Sequence, residues 1–133
     1  MTLAVSNYLA DKLLNATFRG QNYVSPSTVY IALYTSNPTA ADTGTEVSGG
    51  DYARQAVVFG APADDSGKRT IKNTADIVYP VATADWGTVT HVGIRDGASA
   101  GNLLFYGAVD NPRSILTADA LKMLTGNVAC SLN

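Results

Sequence analysis

From Thr28 onward the apolar residues fall into short period-two runs separated by turn residues, and that spacing constrains the fold more than any other feature. Val29, Ile31 and Leu33 alternate with Tyr30 and Tyr34, between the turn Ser25-Pro26-Ser27 and the stop Ser36-Asn37-Pro38. Tyr52–Phe59 alternates again, with Ala53, Val57 and Phe59 opposite Arg54, Ala56 and Val58. Trp86–Arg95 places Trp86, Thr88, Thr90, Val92 and Ile94 on one face and Val89, His91 and Arg95 on the other. Asp96-Gly97 turns the chain into Leu103–Val109, and Asp110-Asn111-Pro112 punctuates after it. Shorter runs at Lys68–Lys72, Asp76–Val81, Ile115-Leu116, Ala120–Leu124 and Asn127–Leu132 complete the set, with Thr125-Gly126-Asn127 as the last turn. The alternating cations of Lys68–Lys72 mark it as an edge strand. Thr39–Gly50 and Gly60–Gly67 read as surface loops. Seven to nine short strands at roughly 8- to 15-residue spacing predict a single antiparallel β-sandwich.

Only one segment has the helical period. In Ser6–Arg19, Val5, Leu9 and Leu13 form one row, and Ala10, Leu14 and Phe18 a second beside it. Ser6 caps the start, Arg19 complements the negative end of the dipole, and Gly20 offers a left-handed stop. The expected architecture is therefore mainly β, one N-terminal α-helix over about 6–19 and a sandwich after it. At 133 residues and 13.9 kDa the chain is one domain long, so 1–133 is read as a single domain with a core of its own. The wide apolar face of the helix must be covered, by its own domain or by a neighbouring subunit. Leu9, Leu13, Leu14 and Phe18 are the candidate subunit-interface residues, and charging Leu9 and Leu13 is expected to weaken the oligomer or the fold.

Composition removes several function classes. Nine Lys and Arg against eleven Asp and Glu leave a net charge of −2, with no basic excess to neutralise nucleic-acid phosphates. Only 15% of residues are charged and 46% are hydrophobic, the reverse of a disordered chain. No apolar run is long enough to span a membrane, and the N-terminus lacks the charge and apolar run of a signal peptide. The chain is thus expected to stay where it is translated or in a particle assembled there. One cysteine and one histidine give no disulfide framework, multi-Cys zinc site or two-His metal motif.

The remaining chemistry is sparse. His91 reads as a strand histidine bonded to a neighbour, and Cys130 as a buried thiol with nothing cationic beside it. Asp42, Glu46, Asp51, Asp64 and Asp65 could supply oxygens to calcium, but their spacing matches no EF-hand loop. Gly60–Lys68 fails as a phosphate loop, because Pro62 stands where glycine is needed and Arg69 follows the lysine. Asn15-Ala16-Thr17 fits a glycosylation sequon only by coincidence, since it lies in the helix of a chain without a secretion signal. Ten of eleven acids are aspartate, which suits turns rather than a catalytic carboxylate pair. No enzyme, cofactor or metal site is expected. Seven tyrosines and one tryptophan are core, interface anchors or sugar-stacking platforms.

Taken in order, SNYLADKLLNATFRG (Ser6–Gly20), TVYIALYTSNPT (Thr28–Thr39), GTEVSGGDYARQAVVF (Gly44–Phe59), ADWGTVTHVGIRDG (Ala84–Gly97) and GNLLFYGAV (Gly101–Val109) cover nearly the whole chain. Together they resemble a family of small bacteriophage virion proteins, described as tail-fibre-like or capsid-associated. The resemblance implies a β-sandwich assembled on a phage particle, made in the bacterial cytoplasm, with other virion proteins and further copies of itself as partners. It implies first a trimeric capsid decoration or cement protein that contacts the major capsid protein and stabilises the head. The alternative is a tail-fibre or tail-tip component, in contact with tail proteins, that recognises a host-surface glycan or protein through the Tyr-bearing strands and the Thr39–Gly50 loop.

Overall fold

A computed structural model describes residues 1–132; Asn133, the last residue of the expected domain, lies outside the described residues. Strand β1 (Thr2–Val5) leads into helix α1 (Asn7–Arg19), and nine strands follow. These are β2 (Val29–Tyr34), β3 (Gln55–Val57), β4 (Ala63–Asp65), β5 (Lys68–Lys72) and β6 (Ile77–Val78), then β7 (Gly87–Arg95), β8 (Leu103–Ile115), β9 (Lys122–Met123) and β10 (Ala129–Leu132). The helix begins and ends as its residues dictate. Ser6 Oγ accepts from the Leu9 amide at 3.2 Å, and Gly20 takes φ +65°, where its amide reaches back to Asn15 O.

Eight strands form one sheet in the order β3-β2-β7-β8-β1-β10-β5-β4, mostly antiparallel, while β6 and β9 pair separately. β1 turns this sheet into two layers by changing partners along its length. Thr2 and Leu3 pair with Ala129 and Cys130 of β10, and Ala4 and Val5 with Tyr106 and Phe105 of β8. At the far side the layers meet again. Phe59 bridges to Asn73, Gly60 N donates to Lys72 O, and Thr74 N donates to Val58 O. The curled sheet buries one continuous core that includes Leu3, Ile31, Leu33, Val89, Val92, Ile94, Leu104, Ile115, Val128 and Cys130.

The mainly β architecture with one N-terminal helix is as expected, and several strands differ in detail. β1 carries no clear period-two signal, because it is four residues long and its pairing is entirely non-local; its pairing with β10 is also parallel. Lys68–Lys72 is interior, between β10 and β4, since Ala63–Asp65 within the expected 60–67 loop pairs with it across the Ser66-Gly67 turn. Tyr52–Phe59 shortens to Gln55–Val57 and Asp76–Val81 to Ile77–Val78.

β8 runs straight through Asp110-Asn111-Pro112. Val89 pairs with Arg113 and His91 with Ala108, so 109–112 bulge opposite Thr90, and Pro112 has no ladder bond to lose. That bulge also shifts the parity of β7. Val89 and Val92, expected on opposite faces, are both core, and Thr90 is not on the Val92 face of the sheet's interior.

Candidate functional site

Helix α1 lies on the outside of the sandwich and contains no fully buried residue. Its two apolar rows have different surroundings. Leu9 packs partly against the core, and with Leu13 it forms one wall of an apolar groove of about 460 Å³ whose other sides include Ile71, Phe105, Cys130 and Leu132. Leu14 and Phe18 instead project into water, 56% and 79% exposed. Of the four candidate interface residues, then, Leu9 and Leu13 face their own sheet, while Leu14 and Phe18 face outward. Asn7, Asp11, Leu14 and Phe18 are spaced 4-3-4 and all exposed, so they line the ridge of the helix opposite the sheet. Arg19 donates to Asn15 Oδ1 at 3.1 Å, and Lys12 Nζ lies 5.6 Å from the centroid of the Tyr8 ring.

Beside the start of the helix, two arginines clasp the connecting segments 36–54 and 96–102. Arg95, at the end of β7, donates to both carboxylate oxygens of Asp42 (2.8 and 2.9 Å), to Tyr34 Oη (2.9 Å) and to Gly101 O (2.8 Å). Burial disfavours its charge, but Asp42 and Tyr34 outweigh that and hold its pKa above the ordinary arginine value. Arg54 forks onto Glu46 with two 2.8 Å bonds and also donates to Gly97 O and Ala100 O. The Thr39–Gly50 loop is therefore strapped down at both Asp42 and Glu46, and Val47 N donates to Leu33 O along the end of β2. Asn7 N donates to Ala40 O, which ties this loop to the first turn of α1. Sequence reading placed neither clasp. The available signal was two arginines at strand positions in a weakly charged chain, where each demands a carboxylate.

Burial raises the Glu46 pKa, but hydrogen bonds from Arg54 and Tyr52 outweigh it and leave the carboxyl below its ordinary value. A lowered carboxyl stabilises the fold above the unfolded-state pKa, and that contribution is lost as pH falls through the folded-state pKa. The urea midpoint should therefore fall on acidification from about pH 6 to about pH 3, and Glu46→Gln should flatten part of that fall. An unchanged slope in the variant would show that Glu46 carries none of the acid sensitivity.

The other residues singled out in the sequence are dispersed. His91 Nδ1 lies 2.8 Å from Thr90 Oγ1, with no carboxylate oriented on it among the described contacts. Cys130 is buried, and desolvation pushes its thiol up to about 12. Asp42 and Glu46 are held by arginines and Asp65 pairs with Lys72 at 3.2 Å, so the loop acids do not converge. Tyr52, Tyr79 and Trp86 form an aromatic cluster rather than an open platform, with Tyr79 and Trp86 buried. Among the described residues no helix is long and apolar enough to cross a membrane.

No curated protein matches this sequence. The family model described as podophage GP4 fiber I protein gp80 matches residues 4–131, from β1 through β10. With the match spanning nearly the whole chain, the protein belongs to the podophage GP4 fiber I protein gp80 family, a family of phage virion proteins.

Proposed function

We propose that this chain is a non-catalytic, homo-oligomeric building unit of the phage fibre, with α1 as a subunit contact. The match to a fiber-protein family over 4–131 is the observation that carries the fibre assignment. The exposed Leu14 and Phe18 support assembly, because apolar side chains clustered on one ridge cost free energy in water until a neighbour covers them. The clasped loops 36–54 and 96–102 form a rigid surface in this reading, available to a host-surface glycan or protein. Their carboxylates are occupied by arginines, which supports binding over catalysis. The trimeric capsid-decoration role is the second reading, supported by the low charge and by the compact β fold of the described residues.

The test is copy number in purified virions, by quantitative mass spectrometry against the major capsid protein. A small fraction of the capsid copy number is expected for a fibre. Near-equal copy numbers would replace the fibre with capsid decoration, and absence from the particle would overturn both.

A further inference from the structure

We propose that α1 pairs with α1 of a second copy of this chain, antiparallel, about a two-fold axis passing beside Asn15. This rests on the homo-oligomeric reading above and gives it a seam and a symmetry. The seam is the part of the outward ridge that carries Asp11, Leu14 and Phe18, whose 3-4 spacing is that of one side of a helix-helix contact.

Charge selects the arrangement. Asp11 and Arg19 lie on the same flank of the helix, four residues to either side of Asn15. In an antiparallel pair like flanks meet. A two-fold axis at Asn15 thus sets Asp11 of each copy against Arg19 of the other, making two ion pairs. Leu14 then packs beside Leu14 of the second copy, and Phe18 covers the turn between Asp11 and Leu14. Antiparallel helices also oppose their macrodipoles. A parallel three-fold bundle on the same ridge would instead gather three Asp11 carboxylates at the axis, where like charges repel. The trimer implied by the sequence resemblance therefore does not use this ridge.

About an axis at Asn15 the two helices overlap only from Asp11 to Arg19, less than the full length of α1. Such a contact falls short of the roughly 1,200 Å² of a stable isolated interface, so it is weak in solution and gains strength when many copies are held together.

Asn15→Cys is the direct probe, because only a residue beside a two-fold axis cross-links to its own symmetry mate. Mild oxidation with oxidised glutathione should give a disulfide-linked dimer, and Cys130 is buried and does not compete. Independently, Asp11→Arg or Arg19→Asp should each weaken self-association about tenfold in sedimentation equilibrium. Combining the two reverses both charges and should restore affinity to within about threefold of the native chain. Asp11 and Arg19 are exposed and Asn15 is half-buried, and circular dichroism checks that the variants fold. A trimer indifferent to the charge reversals and without the cross-link would overturn the two-fold seam and leave the homo-oligomeric reading standing. A monomer at every concentration would overturn both.

Discussion

Trp86→Ala should remove about 4 kcal/mol of folding stability, a large share of what a domain this size possesses. Trp86 is 5% exposed and sits where three segments converge. Its backbone amide donates to Ile115 O at 2.8 Å, and its indole Nε1 donates to Gly50 O at 2.9 Å. Its ring meets Tyr52 edge-on at 5.5 Å and Tyr79 edge-on at 6.3 Å. Tyr79 Oη in turn donates to Ile31 O, and Tyr52 Oη accepts from Leu33 N and donates to Glu46. Truncation leaves a cavity that β2 cannot fill, because its backbone is fixed on both edges by β3 and β7. Gly50 is part of the same fit. It sits at φ +59°, and a Cβ there would lie 2.8 Å from both Trp86 Nε1 and Ala84 O.

The thermal midpoint of Trp86→Ala should fall by more than about 10 °C. Trp86→Phe keeps most of the ring burial but forfeits the bond to Gly50 O, and should cost about 1.5 kcal/mol. Trp86 is the sole tryptophan, so both variants must be followed by circular dichroism rather than fluorescence. A loss under about 1 kcal/mol for alanine would mean that the aromatic cluster is not what holds β2 to the 36–54 segment.

How far the sequence discloses this fold depends on whether each feature is local. The caps of α1 are local chemistry, and Ser6, Arg19 and Gly20 mark its ends correctly. Period two in β2, β7 and the first half of β8 is local as well. The parity shift at Thr90 is not, because it comes from four residues of β8 opposing one of β7, which alternation in either strand alone does not encode. β1 is similarly hidden, since its identity as a strand resides in two partners about a hundred residues away. The cations of β5 suggested an edge for a sound reason, but β4 sets Asp64 opposite Arg69 and Asp65 opposite Lys68, and Lys72 also reaches Asp65, so acids cover that edge.

The candidate site divides the same way. Helical spacing makes the apolar rows of α1 visible, but not which row the sheet covers, because the sheet residues that meet Leu9 and Leu13 come from β5, β8 and β10. The arginine clasps join positions 8 and 53 residues apart, through loops whose path has no periodic signature.

Arg95→Met should cost about 3 kcal/mol and, unlike Trp86→Ala, should act on the loops more than on the core. Methionine preserves much of the aliphatic volume but not the fork. Asp42 is 37% exposed and can recover water, so its share of the loss is discounted; most of the cost falls on the Tyr34 hydroxyl and Gly101 carbonyl. Arg95 Nε is already buried without a partner, so the side chain is retained for the bonds its other nitrogens make. Those bonds hold two residues at positive φ, Asp42 at 60° and Gly101 at 75°, and the Arg54 clasp adds Ala100 at 52°. For Asp42 and Ala100 that backbone is unfavourable and persists because surrounding bonds fix it.

Released, the 36–54 segment should open first and take with it the bond from Asn7 N to Ala40 O at the start of α1. Hydrogen exchange should therefore quicken in segments 39–46 and 97–102 and at the Asn7 amide, while Val92 and Ile94 keep their protection until global unfolding. Arg95→Lys should fall near Arg95→Met, because an ammonium cannot reproduce the two-pronged bond to Asp42. Uniform acceleration across the whole sheet would mean that Arg95 supports the core rather than the loops. Confined acceleration that reaches Asn7 would mean that a strand-end arginine sets the rigidity of the helix proposed above as the contact between copies.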